Sequence, residues 1–179
     1  MISQVKALPK VLIFSEIRYY IFSLAFAGLS VLTPAIFHQF NLAGAKFLPM
    51  HIFVLLAGLL FGWRAGLLVG TLSPLISYGL TQMPALNILP EIIMELGTYG
   101  LVTGLLREKK LNIWISLLSA MVLGRLARLL FVLISESETN LLNYLQMGWP
   151  GVVLQLALIP LAVYLLQKFF FKKNNEKTI

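Results

Sequence analysis

Long apolar runs separated by short polar breaks organise this chain. Six runs fall at residues 19–38, 49–61, 65–80, 88–106, 111–135 and 147–171. Runs of this length and character predict an all-α protein, an integral membrane bundle of six transmembrane helices. The breaks between them carry turn chemistry. Residues 39–48, with Asn41, Gly44 and Lys46, predict a first loop, and Gly62-Trp63-Arg64 a very tight turn. Residues 81–87, with Pro84, predict a polar loop, and residues 136–146 an acidic, Asn-rich one. Pro90 falls in the first turn of the fourth helix, where proline is tolerated. Pro150 and Pro160 fall near the start and in the middle of the sixth. The second run is short, because thirteen residues of helix rise only about 20 Å against roughly 30 Å of hydrocarbon. The second and third helices are therefore expected to start inside the neighbouring loops, or to span with protein around their ends.

Composition agrees that lipid is the solvent. The 179 residues are 59% hydrophobic and 12% charged, with a mean hydropathy of +0.87, whereas a soluble domain carries roughly 25% charged residues. Charge placement then orients the spans. With the N-terminus inside, the cytoplasmic side receives Lys6, Lys10, Arg18, Arg64, Arg107, Lys109, Lys110, Lys168, Lys172, Lys173 and Lys177, and the outside Lys46 alone. An odd number of spans would spoil that split, so both termini are expected in the cytoplasm. The basic start precedes an apolar run too long and too late for a secretory signal, and a retained span is expected. The length allows one domain over residues 1–179, with no room for a soluble ATPase. The +7 charge is explained by topology, and no nucleic-acid partner is expected.

Several chemistries are excluded. Cysteine is absent, which removes disulfides and thiolate chemistry. All seven acidic residues are glutamate, which removes aspartate-based proteolysis and Asp-rich magnesium motifs. No phosphate-binding G-x-x-x-x-G-K-[ST] run and no H-E-x-x-H helix occurs. Neither cofactor nor metal is expected.

Four charges remain inside the apolar runs: Glu91, Glu95, Arg125 and Arg128. An ionisable group in hydrocarbon costs at least a few kcal/mol, so it faces a cavity or a partner. Glu91, Glu95 and Tyr99 step by four and share one helix face, as do Arg125 and Arg128 at a spacing of three. Counting from the outer helix ends, Glu95 and Arg128 meet at one depth, with Arg125 near Tyr99. His51 lies at the outer end of the second helix, Trp149 and Gln155 in the outer part of the sixth, and Asn87 is expected to cap the fourth. All belong to the outer half, so the predicted site opens outward. Two readings stand side by side. A Glu95–Arg128 pair can simply fix helix register, or one arginine can balance a glutamate while the other grips a ligand carboxylate or phosphate. His51 alone reads as an interfacial or hydrogen-bonding residue, and Trp63, Trp114 and Trp149 as interfacial anchors.

Small residues recur at four-residue spacing: Gly58, Gly62, Gly66 and Gly70; Gly100 and Gly104; Ser116, Ala120 and Gly124; and the single pair Ser23 and Ala27. Such stripes let helix backbones approach closely in lipid, within the bundle or against another membrane subunit.

The motifs as a set resemble a known family. Leu48-Pro49-Met50-His51 leads into Val54-Leu55-Leu56-Ala57-Gly58, then Phe61-Gly62, Gly66, Gly70 and Leu72-Ser73-Pro74-Leu75. Thr81-Gln82-Met83-Pro84 and Glu95-Leu96-Gly97-Thr98-Tyr99-Gly100-Leu101 follow. This is similar to the substrate-binding S components of energy-coupling factor (ECF) vitamin transporters. The resemblance implies a six-helix protein of a bacterial cell membrane that binds a vitamin near its outer face. It also implies docking onto a transmembrane coupling protein driven by two cytosolic ATPases. Helix one would dock through small residues, here Ser23 and Ala27. The Pro-Met-His and Ser-Pro-Leu signatures most resemble the pantothenate and cobalamin branch. Pantothenate is favoured, because an arginine pair suits its carboxylate, while Asn87, Glu91, Tyr99 and Gln155 suit its hydroxyl and amide groups. Cobalamin, pyridoxine or another anionic micronutrient is the alternative.

On this reading the first loop closes over the substrate, Tyr78, Tyr99 and Trp149 exclude water, and no bond is made or broken. Arg128→Ala is then expected to abolish binding in a protein that still folds. A small intramembrane enzyme is the rival of another class, but no nucleophile and base stand in register and no Gly-x-Ser-x-Gly occurs. An ion-coupled transporter is disfavoured by the lack of an obvious inverted repeat.

Overall fold

The structure, a computed structural model, describes residues 17–39, 49–135 and 148–175. Every regular element among them is an α-helix: α1 Ile17–Gln39, α2 Pro49–Phe61, α3 Trp63–Thr81, α4 Leu89–Glu108, α5 Ile113–Ile134 and α6 Trp149–Asn175. The six apolar runs reappear as six helices whose ends shift by a few residues. The first loop from residue 40, with Asn41, Gly44 and Lys46, and the whole acidic loop lie outside the described residues. So do Lys6, Lys10 and Lys177.

The helix ends follow local chemistry. A single residue, Gly62, separates α2 from α3 and takes φ 88°, a left-handed value that only glycine adopts without steric cost. Its N–H still bonds the Gly58 carbonyl at 3.0 Å, and its own carbonyl accepts from Gly66 at 3.0 Å. The chain therefore bends without orphaning backbone groups. Asn112 caps α5, its side chain accepting from the Trp114 N–H at 3.0 Å. Asn87 does not do the same for α4. The N-cap is Ile88 and no side chain caps that end. The Ile88 and Leu89 N–H groups instead both donate to the Ala85 carbonyl, at 3.1 and 3.0 Å. The tight turn before α4 satisfies these donors through the backbone, which leaves Asn87 exposed in the loop.

Helix α2 sits at the centre and packs against α1, α3, α4 and α6. Its thirteen residues are nearly all buried, so its short length is met by protein around it rather than by lipid. The glycine stripes explain how the helices approach. A Cβ at Gly58 or Gly66 would collide with the backbone of Gly100, one at Gly70 with that of Leu96, and one at Gly104 with Trp63. Helices α3 and α4 thus run antiparallel with their backbones nearly touching. The stripes are spent inside the bundle. Near the α2–α3 bend, buried Arg107 donates Nε to the Leu59 carbonyl at 3.2 Å, which satisfies an orphan carbonyl at the end of α2.

Helix α5 packs mainly on α4 and leaves Val122, Leu126, Leu130 and Leu133 exposed. Helix α6 similarly exposes Val153, Leu161 and Leu165. Large apolar surfaces of this kind mark a lipid or protein contact. By length and composition α4 and α5 are each able to cross a membrane.

Candidate functional site

A cluster of buried polar side chains joins α2, α4 and α5. Glu91 and Glu95 lie one turn apart on α4, and both are wholly buried. Arg128 reaches them from α5, six residues before its last residue, much as Glu95 stands six residues after the first of α4. One guanidinium nitrogen, Nη1, donates to Glu95 Oε2 at 3.1 Å. The other, Nη2, donates to Glu91 Oε2 at 3.0 Å. The arginine fork is therefore shared between two carboxylates rather than spent bidentately on one. Tyr99, a further turn along α4, donates its hydroxyl to Glu95 Oε1 at 3.2 Å.

The close approach that makes this possible comes from α5. A Cβ at Gly124 would strike the Tyr99 ring and approach the Glu95 carbonyl. Glycine there lets α4 and α5 meet one turn below Arg128. Ser116 and Ala120, on the same stripe, are also buried.

His51 of α2 closes the cluster. Its ring stands edge-to-face with Tyr99, centroids 5.3 Å apart, and Nε2 lies 3.6 Å from Glu95 Oε1. That separation is too long for a hydrogen bond. Neither ring nitrogen has a hydrogen-bond partner among the described residues. Gln155 of α6 is 1% exposed, and its amide oxygen and nitrogen are likewise both without a partner among the described residues. Helix α6 packs on α2, the helix of His51.

The structure thus gathers His51, Glu91, Glu95, Tyr99 and Arg128. Arg125 lies one turn from Arg128 and is partly buried. Asn87 and Trp149 are exposed and stand apart, Trp149 as the first residue of α6. Tyr78 is partly buried. Of the docking pair, Ala27 is buried in the bundle's own core and Ser23 is partly buried. Arg128, one of the two arginines that the sequence offered to a ligand anion, has both end nitrogens on carboxylates of its own chain. Sequence reasoning missed two polar contacts. Arg107 read as one more cytoplasmic cation, and the Ser30–Ser73 hydrogen bond, which ties α1 to α3 inside the bundle, had no signal beyond two serines in apolar runs.

The arrangement offers carboxylate, guanidinium, imidazole and phenol groups in a buried setting, groups suited to binding a polar ligand. Among the described residues, no group of three or more His, Cys, Asp or Glu is placed to hold a metal ion. Comparison with known proteins agrees with a binding role. The family model described as "ECF transporter, substrate-specific component" matches residues 21–137, more than half of the chain. No curated protein and no solved structure matches.

Proposed function

The chain belongs to the family of ECF transporter substrate-specific components, membrane subunits of micronutrient uptake, and we propose that its buried polar cluster is the floor of the substrate pocket. The family role implies a small-molecule substrate, and ECF transmembrane and ATPase partners that supply the energy this chain does not. One observation supports the siting above the others. Five polar or ionisable side chains from three helices converge in an apolar bundle, where such groups mark functional sites by default.

The favoured substrate is pantothenate. Its carboxylate suits the arginine pair of α5, Arg125 or Arg128, which share one helix face. Its hydroxyls suit Glu91, Glu95 and Tyr99, and its amide suits Gln155. Trp149 and Asn87, exposed near helix starts, are assigned to the mouth. A second reading has its own support. Two of the five gathered side chains, Glu91 and Glu95, are carboxylates, which favours a substrate rich in hydrogen-bond donors, such as pyridoxine. Cobalamin is a further alternative.

The topology that goes with this reading is a single domain over residues 1–179 with six spans. It lies in a bacterial membrane with both termini cytoplasmic and the cluster in the outer half. Helix α1 docks on the coupling protein beside Ser23 and Ala27. The exposed small residues Ala25 and Gly28 lie on the outward side of α1, away from the buried Ala27, and a Cβ added at Gly28 meets nothing; that side is the part of α1 open to a partner.

Calorimetry on the purified full-length protein tests the substrate. Pantothenate is expected to bind tightly while pyridoxine and cobalamin do not. Tight binding of pyridoxine with no response to pantothenate replaces the first reading by the second, and silence toward all three removes both.

A further inference from the structure

Gln155 is the least explained side chain in the bundle. A buried amide has two donors and an acceptor to satisfy, and leaving such groups unpaired in an apolar setting costs enough that native proteins rarely do it. Here both the oxygen and the nitrogen lack a partner among the described residues, in a residue 1% exposed. Its helix face is otherwise apolar: Ile159 and Val163, at steps of four, are buried in the core. A glutamine in that row is not a solvated outlier. It stands six residues in from the first residue of α6, the same interval that separates Glu95 from the first residue of α4. Helix α6 packs on α2, and α2 supplies the second orphan, His51, both of whose ring nitrogens also lack a hydrogen-bond partner there.

We propose that Gln155 is a specificity-determining residue that reads an amide-type edge of the substrate, one neighbouring donor and acceptor, with His51 taking a further hydrogen bond. This rests on the reading of the cluster as a substrate pocket and narrows its ligand. A primary amide, a cyclic urea or an imide offers donor and acceptor side by side to the two ends of the glutamine, and a secondary amide pairs one end there and its other group with His51. A substrate that carries acceptors alone leaves the glutamine oxygen buried and unpaired. Sites that hydrogen-bond a substrate group discriminate strongly against analogues without it.

The test uses the full-length protein in detergent, thermal-shift measurement and a fixed set of probes. Pantothenate, biotin, riboflavin and nicotinamide carry amide, ureido or imide edges; pyridoxine, lipoate and nicotinate do not. The wild type is expected to be stabilised by one or more of the first group and by none of the second. Gln155→Leu is expected to weaken binding of the stabilising probe by about ten- to a hundredfold. In the unliganded state the same variant is expected to melt at or above the wild-type temperature, since it removes orphaned polar atoms. Stabilisation by pyridoxine, lipoate or nicotinate overturns the inference and leaves the pocket reading intact. Undiminished probe binding by Gln155→Leu also overturns it. So does a lower melting temperature of the unliganded variant, which makes Gln155 structural. Should no probe shift the wild type, the substrate reading fails, and the unliganded comparison alone decides whether the glutamine is an orphan awaiting a ligand.

Discussion

At the scale of single residues, the decisive fact is that Arg128 is committed. Two buried carboxylates hold its ends at 3.0 and 3.1 Å. The expectation that Arg128→Ala folds normally and merely loses ligand therefore changes. Removing the guanidinium takes from two buried carboxylates the cation they share, and breaking a buried ion pair in this way costs about 3–5 kcal/mol. Arg128→Met is expected to lose stability of that order in denaturation measurements on the detergent-solubilised protein. Adding Glu91→Gln and Glu95→Gln to it should recover most of the loss, because no buried charge is then left alone. Full stability of Arg128→Met would show that the cluster is hydrated or that the carboxylates are neutral. A smaller effect is expected for Tyr99→Phe. It removes one hydroxyl donor from Glu95 and should cost about 1 kcal/mol, read in the same assay. The pairing itself was legible: a spacing of four on one helix, a spacing of three on the next, and equal depth were enough to bring Glu95 and Arg128 together. The sharing of one fork by two carboxylates was not, because spacing says which face a residue occupies but not how far its side chain reaches.

At the scale of elements, backbone contact explains both the compactness and the site. Gly58 of α2 and Gly66 and Gly70 of α3 are spent against α4, and Gly124 of α5 is spent against Tyr99 and Glu95. Gly66→Val is expected to be severely destabilising, since its added atoms would meet the backbone of Gly100, which has no rotamer to move. Gly28→Ala provides the contrast. Nothing lies near its added Cβ, and alanine is the better helix former, so the isolated protein should be no less stable. The two variants compared by thermal unfolding test the assignment of each stripe. Equal losses would contradict it. Helix existence was readable from apolar runs, and the α2–α3 break from Gly62. The caps were less so. Asn87 looked like an N-cap, yet backbone bonds to Ala85 satisfy that end, and nothing in residue identity distinguishes the two solutions. The inward direction of Ala27 was equally hidden, because a small residue fits both a core and an interface.

At the scale of the whole molecule, the exposed faces and the buried charges describe one object. Leucine and valine rows on α5 and α6 face outward, while Glu91, Glu95 and Arg128 are enclosed between helices. This polar-inside, apolar-outside arrangement suits lipid as solvent, and it keeps the polar cluster where water is scarce. Membership of the substrate-specific component family makes the chain a subunit of micronutrient uptake, and holding that micronutrient is the task we propose for the cluster. If α1 presents Ala25 and Gly28 to the coupling protein, Gly28→Leu should abolish co-purification with a larger membrane subunit while leaving ligand binding unchanged, and retained co-purification would move the docking face off α1. The central claim, that the enclosed polar cluster captures a small nutrient, is tested most directly by native mass spectrometry of the full-length protein released from detergent after exposure to a micronutrient mixture. The account predicts one small molecule bound per chain, and its loss when Gln155 is replaced by leucine. A bare protein under every loading condition would contradict it.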